Sequence, residues 1–435
     1  MRLPVILWAQ VPALFSDNIS EFILLACQAI KLPQTGCRRC YSGFTVRDGS
    51  AITAIDSILK NPLNTTSISE TRIPSPRYEN QDRVFLRAFK ILTGAVEEKA
   101  FPGAATAITH TGKVVALKAL GRFTYDATSP PVETESIFDL ASLTKVVATT
   151  TMAMILYERG LLDLEMPVVG ILPEFRSEDP RRDAITFHQL LAHSSGLPAY
   201  ERLFLRCKSK DDLLQEAFAV PLKHNPGTRA EYSDVGFIVL GVALERIAGE
   251  AIDRFCQREI FGPLGMFHTS YNPPNSSQFK IPPTADDKAF RKRIIQGEVQ
   301  DENASVMGGI GPHAGLFASA SDVARFAHAM LNGGAPILRT ETLSFFTRRE
   351  HSPAETSRAL GWDTPSSPSQ SGKYFSPASY GHLGYTGTSL WVDPERQVSV
   401  TLLTNRTWPD CENQAIKDVR PAFHDAVMEA LGVTT

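Results

Sequence analysis

Between Asp82 and Lys99 the apolar residues Val84, Phe85, Ala88, Phe89, Leu92 and Val96 recur at spacings of three and four. That is the pattern of an amphipathic helix, and Pro102-Gly103 ends it. Two short apolar runs follow, 104–109 and 114–120, separated by the polar link His110-Thr111-Gly112-Lys113, which predicts a β-hairpin. Residues 143–160 are apolar on nearly every side and close on Gly160, so they predict a buried helix. Further helices are expected at 186–193, 210–219, 234–248, 251–260 and 321–332, with proline- and glycine-rich loops at 271–284 and 305–316. Toward the end, 381–392 and 397–405 read as strands joined by the turn Asp393-Pro394-Glu395-Arg396. A helix is expected at 421–431, with Pro421 in its first turn.

The order is helix, strands, a long helical middle, strands, helix, without an internal repeat. Such an order fits a discontinuous antiparallel sheet with an inserted helical domain. The folded part is expected to begin near Asp82. Residues 34–80 are rich in Ser, Thr, Pro, Asn and Arg and read as a poorly ordered leader. Residues 3–15 are apolar and resemble the core of an export signal, and Leu24-Leu25-Ala26-Cys27 resembles a lipoprotein cleavage box. Pro4, Pro12 and Glu21 interrupt both patterns, so an exported or periplasmic and a cytoplasmic location fit equally.

Composition narrows the function classes. The chain has 435 residues, 43% of them hydrophobic and 21% charged, which supports a large packed core. A formal net charge of -3 offers no global attraction to phosphate, so no nucleic-acid partner is expected. No run of about 18 apolar residues is present. The 6 cysteines are too sparse for a disulfide scaffold. Cys37-Arg38-Arg39-Cys40 is a lone pair with no second half for a zinc site.

Three short motifs carry candidate chemistry. In Ser142-Leu143-Thr144-Lys145 a hydroxyl and an amine fall on one face of a helical turn. Serine is a weak nucleophile until a base takes its proton, and lysine can be that base when burial lowers its pKa. Ser57–Lys60 and Ser277–Lys280 share the spacing, but only Ser142 precedes a long buried helix. Tyr232-Ser233-Asp234 opens the apolar helix after Pro226-Gly227, where Asp234 is a plausible cap and Tyr232 a base if a cation stands near it. Gly381-His382-Leu383-Gly384-Tyr385-Thr386-Gly387 precedes a strand, and such an edge can offer an N–H to an oxyanion.

This succession of motifs resembles the serine β-lactamase and penicillin-binding protein superfamily, nearest to class C β-lactamases, family VIII carboxylesterases and D-alanyl-D-alanine carboxypeptidases. Segments 185–200, 236–249, 261–270, 313–326 and 387–395 agree, so the resemblance covers roughly 82–431. It implies an α+β fold of the β-lactamase/transpeptidase type. That is an antiparallel sheet flanked by N- and C-terminal helices, with an inserted all-helical domain. The expected parts are a leader over 1–81, a sheet subdomain from 82–140 and 345–435, and a helical subdomain over 141–344. The resemblance also implies that Ser142 is acylated and that Lys145 is its proton partner. Tyr232 is then the shared base and later the acid, and the backbone N–H groups of Ser142 and Tyr385 form the oxyanion hole. Whether Lys145 or Tyr232 takes the first proton is left open. Asp234, His382 and Gly384 belong to the implied substrate-facing set.

Two departures bear on substrate. Asp234 stands where class C enzymes have Asn, and the third motif reads His-Leu-Gly where they have Lys-Thr-Gly. His382 carries a charge only when protonated, and Leu383 lacks a hydroxyl. Both changes favour a neutral ester or an unusual peptide over a β-lactam. The expected activity is esterase-like hydrolysis of ester or amide substrates. D,D-carboxypeptidase or β-lactamase activity, and an inactive penicillin-binding sensor, are the alternatives. The expected partner is a small-molecule ester, amide or cell-wall peptide, with no metal and no organic cofactor. No GxSxG elbow and no H-E-x-x-H run occurs. His193-Ser194-Ser195-Gly196 reads as packing near the site. Gly309–Ala314 fits a dinucleotide fingerprint poorly because Pro312 sits inside it. Asp301-Glu302-Asn303 reads as a solvated acidic loop.

Overall fold

A computed structural model of the chain describes residues 80–434. The apolar start, Cys27, Cys37, Cys40 and Ser57–Lys60 lie outside the described residues. A short turn Gln81–Val84 leads into helix α1, Leu86–Glu97, which buries Ala88, Phe89, Leu92 and Ala95 at the expected spacing. The hairpin follows as β1, Gly103–His110, and β2, Lys113–Gly121. The next strand of that sheet comes from near the end of the chain. β10, Val398–Thr404, pairs antiparallel with β1, setting Ala104 opposite Thr404 and Ile108 opposite Val400. β9, Ser389–Asp393, and β8, Tyr380–Leu383, complete a five-stranded sheet in the order β2-β1-β10-β9-β8.

Both faces of this sheet are covered, so every residue of β10 is buried, including Ser399, Thr401 and Thr404. On one face α1 and the C-terminal helix α10, Ile416–Leu431, enclose Phe85, Phe89, Leu92, Trp391, Val400, Leu402, Phe423 and Val427. On the other, helix α8, Ala320–Leu331, packs against the sheet and joins the larger core. That core continues into the helical middle through α2, Thr151–Glu158, and α5, Asp234–Ala248. A second, small sheet of β3 (Ile137–Asp139), β7 (Leu316–Ser319) and β4 (Ser270–Tyr271) sits just before Ser142 in the chain and fixes where that turn begins.

Helices at 210–219 and 234–248 match the pattern to the residue. Several expectations need correction. Residues 381–392 are two strands, β8 and β9, joined by a turn over 384–388, because Gly384 and Gly387 permit the reversal. Helix α10 starts at Ile416, not 421, so Pro421 lies inside it. The helix tolerates this because the Lys417 carbonyl, which has no N–H to meet at Pro421, accepts from Gln370 Nε2 at 3.0 Å. The expected helix at 251–260 is α-helical only over Ile252–Cys256 and widens into a π-turn over Gln257–Phe261. Two further helices, Glu302–Val306 and Thr340–Thr347, fall where no strong period marked them.

Candidate active site

The turn that presents Ser142 is held from below. At the end of β3, the Asp139 carboxylate accepts from the backbone N–H of Ala141 at 2.8 Å and from that of Gln300 at 2.6 Å. Burial pushes the Asp139 carboxyl up to about 6, against the pull of those two N–H groups. Ala141 itself is in the left-handed region, φ 48°. A residue with a Cβ pays about 1 kcal/mol or more to stand there, and such strain is kept where the surroundings over-determine it. Three successive i→i+3 bonds follow, from Leu143 to Leu140, Thr144 to Ala141 and Lys145 to Ser142. In such a tight turn residues three apart eclipse, which stacks the Ser142 hydroxyl and the Lys145 amine. Lys145 then opens a π-helical turn, Lys145–Thr150, that runs into α2.

Lys145 is 0% exposed and its amine has three polar neighbours. These are Ser142 Oγ at 3.1 Å, the His313 carbonyl at 2.8 Å and Asp234 Oδ1 at 2.6 Å. Nζ donates to the His313 carbonyl and to Ser142 Oγ, and Asp234 faces it as a charge partner. Burial lowers the Lys145 pKa, while the Asp234 charge pulls it back up; the net direction is down.

Tyr232 and Asp234 arrive on the N-terminus of α5. Ser233, not Asp234, is the helix cap: its hydroxyl accepts from Gly236 N at 2.9 Å and donates to Pro198 O at 2.7 Å. Asp234 is thereby free to pair with Lys145, at 2.6 Å. The Tyr232 hydroxyl lies 2.8 Å from Ser142 Oγ. Burial, reinforced by the Asp234 charge, raises the Tyr232 phenol well above its ordinary value. His193 has no serine to activate. Its Nδ1 accepts from Ser233 N at 3.0 Å, and its ring packs 4.8 Å from that of Tyr232 and 5.0 Å from that of Phe237, as a packing residue would.

The third motif forms the opposite wall. Thr386 Oγ1 donates to Asp139 O at 2.8 Å and Thr388 Oγ1 to Leu140 O at 2.9 Å, which ties the 384–388 turn to the strand leading into Ser142. A Cβ on Gly384 would strike Thr388 Oγ1 and Leu140 O, so only glycine allows this approach. The backbone N–H groups of Ser142 and Tyr385 donate to nothing among the described residues. His382 lies with its ring 5.9 Å from that of Tyr232 and its Nδ1 2.7 Å from Leu383 O. Burial, with the nearby Lys145 and Arg358 charges, holds the imidazole well below its usual pKa, so it is neutral near pH 7.

Several site residues carried no local signal in the sequence. The Arg358 guanidinium lies 5.4 Å from the Tyr232 ring centroid, and its ion pair with Asp363 is loose at 3.9 Å. It is held there because Asp363 exchanges two backbone bonds with Gly381 of β8. Asp301 is not in a solvated loop. It caps the helix Glu302–Val306 through Ala304 N and its carboxylate lies 2.9 Å from His313 Nε2, behind the carbonyl that Lys145 uses. Burial would raise the Asp301 pKa, but the His313 charge and hydrogen bond bring it below the ordinary value. Among the described residues no group of His, Cys, Asp and Glu could hold a metal ion.

With this geometry in hand, comparison with known proteins is direct. The family described as Beta-lactamase matches residues 89–420. The chain belongs to that family. It is 32% identical to an N-acetylmuramyl-L-alanine amidase of Bacillus subtilis (strain 168) over 343 residues, 70% of this chain and 77% of that protein. It is also 32% identical over 304 residues to a putative D-alanyl-D-alanine carboxypeptidase of Salmonella agona (strain SL483), covering 63% of this chain and 70% of the relative. Among solved structures, EstCE1, a hydrolase with promiscuous acyltransferase activity, superposes with a TM-score of 0.66 at 22% identity, over 80% of this chain and 99% of the other. Unliganded simvastatin synthase (LovD) from Aspergillus terreus gives a TM-score of 0.63 at 20% identity, over 80% of this chain and 98% of the other. These neighbours share the β-lactamase/transpeptidase fold, and the beta-lactamase-family chain is a hydrolase of the serine β-lactamase superfamily.

Proposed function

We propose that the chain hydrolyses an ester or amide through an acyl-enzyme on Ser142. The observation that carries this reading is the convergence of Lys145 Nζ at 3.1 Å and the Tyr232 hydroxyl at 2.8 Å on one serine oxygen. Lys145 is the first base. Burial lowers its pKa, and in its deprotonated form the amine takes the Ser142 proton across the 3.1 Å contact. As Ser142 Oγ bonds to the substrate carbonyl, that proton passes to Lys145, and Asp234 compensates the ammonium that forms. The carbonyl oxygen takes up negative charge against the N–H groups of Ser142 and Tyr385. Collapse breaks the bond to the leaving group, which takes the Tyr232 proton. The phenolate regains it from Lys145, 4.9 Å from the ring centroid, with Arg358 stabilising the transient charge. Water then repeats the sequence in reverse on the acyl-enzyme.

Substrate class follows from the third motif. A neutral His382 offers no fixed charge to a carboxylate, which favours a neutral ester or amide over a β-lactam. A second reading, an amide of a cell-wall peptide, is supported by the 32% identity to the Bacillus subtilis amidase. Turnover of p-nitrophenyl butyrate, of a muramyl-L-alanine amide and of a penicillin should be compared in the wild type and in Ser142→Ala. Ser142-dependent release from the ester or the muramyl amide supports the proposal and chooses between its two readings. Stable penicillin labelling without turnover of either overturns it in favour of a sensor.

A further inference from the structure

Two arginines are buried behind the third motif with no carboxylate within 4 Å among the described residues. Arg420, on α10, directs Nη2 to the carbonyls of Gly384 at 2.9 Å and Thr388 at 3.0 Å. Arg406, just after β10, directs Nε to the carbonyl of Tyr385 at 2.7 Å and Nη1 to those of Cys411 and Asn413. Burial, aided by Arg406, lowers the Arg420 guanidinium to about 9, still charged at neutral pH. A buried cation without a counter-ion is costly and is normally paired. Here the compensation comes from backbone carbonyls, three of them in the turn that carries Tyr385, and from the Tyr385 ring, whose centroid lies 4.4 Å from the Arg406 guanidinium.

The covalent structure makes this placement specific. The Gly384 carbonyl and the Tyr385 N–H belong to one peptide unit. A cation on the oxygen draws electron density across the amide and makes the N–H a stronger donor, and it also fixes the direction in which that N–H points. The same turn closes through Gly384 N donating to Thr388 O at 2.8 Å, the second carbonyl that Arg420 holds. We infer that Arg420 is a positioning residue for the oxyanion hole, holding and polarising the Gly384–Tyr385 peptide so that its N–H meets the negative charge of the tetrahedral intermediate, with Arg406 steadying the next peptide. The missing counter-ion of the two arginines is then the oxyanion itself, present only during reaction. This inference rests on the Ser142 acyl-enzyme reading.

The test compares Arg420→Met, Arg420→Gln and Arg420→Lys with the wild type. Three quantities are needed: kcat and KM for p-nitrophenyl butyrate, Ki for butylboronic acid as a tetrahedral mimic, and the melting temperature. The expected result is a fall in kcat of roughly 10- to 100-fold in Arg420→Met at near-constant KM, since removing a whole donor costs about 10²–10³. The boronate Ki should rise by a matching factor. Arg420→Gln keeps a donor without the charge and should fall between, and Arg420→Lys should recover most of the loss. If Arg420→Met does not fold, the ordering of Lys above Gln, with kcat and Ki moving together, decides. A folded Met or Gln variant with unchanged kcat overturns the inference. So does a loss of kcat with an unchanged boronate Ki, or one that tracks the melting temperature alone. Full activity in Ser142→Ala would instead refute the underlying reading, which separates the two failures.

Discussion

Ser142 stands between two walls built on different principles. One is made of side chains: a fully buried Lys145 with half-buried Tyr232 and Asp234, joined by an ion pair at 2.6 Å and hydrogen bonds of 2.8 and 3.1 Å. The other is made of backbone: the turn over 384–388, docked by Thr386 and Thr388 onto residues 139 and 140 and gripped from outside by Arg406 and Arg420. In the proposed mechanism the first wall moves protons, so its performance depends on charge and pH. The second holds a fixed dipole, so its performance depends on geometry. Burial acts on the two groups in opposite directions: it lowers the amine of Lys145, against the pull of Asp234, and raises the phenol of Tyr232, which keeps the phenol protonated.

The largest effects are expected on the side-chain wall. Lys145→Met removes the proposed first base and should cost roughly 10³-fold or more in kcat, read by steady-state ester hydrolysis. Tyr232→Phe should be selective. Its cost is expected to be small for p-nitrophenyl esters, whose phenolate leaves without a proton, and about 10²–10³-fold for an ethyl ester or amide. Equal losses on both substrates would contradict Tyr232 as the leaving-group acid.

Asp234→Asn alters charge at nearly constant shape. The Asp234 charge raises the Lys145 pKa, so removing it must lower that pKa further. The base form of Lys145 then survives to lower pH, and the acidic limb of the kcat/KM profile should move down in pH. The maximum should fall about tenfold because the ammonium loses its compensating charge. A limb that moves up would contradict the assignment of Lys145 as base. On the backbone wall, Thr388→Val removes a single bond to Leu140 O and should cost about 1 kcal/mol of stability, read by thermal unfolding, with no shift of the pH profile. A pH shift there would mean that the two walls are not separate.

The same division explains what the sequence discloses. Ser142, Lys145, Tyr232 and Asp234 lie within two short motifs, and local geometry, an eclipsed turn and a helix start, brings each motif to the site. Periodicity likewise marked the helices at 210–219 and 234–248. The backbone wall is built from long-range partners. Nothing near Arg420 in the chain points to Gly384, and nothing near Arg358 points to Tyr232, because Arg420 is delivered by the C-terminal helix and Arg358 by a segment paired to the edge strand β8. Asp301 misleads for a related reason: an acidic triplet reads as solvated until the His313 ring is folded over it. Asp234 reads as a cap because its position suits one, but Ser233 one residue earlier takes that role and leaves the carboxylate for Lys145. The glycines at 384 and 387 announce a close approach, yet not that the segment reverses between two strands.

The account turns on the covalent intermediate at Ser142. The most direct measurement is intact mass and peptide mapping after rapid acid quench of p-nitrophenyl butyrate turnover, for the wild type and Ser142→Ala. The expected result is one butyryl group on the peptide containing Ser142 in the wild type, with no adduct and no turnover above background in the variant. A butyryl group on another residue, or turnover that survives in Ser142→Ala, would contradict the account.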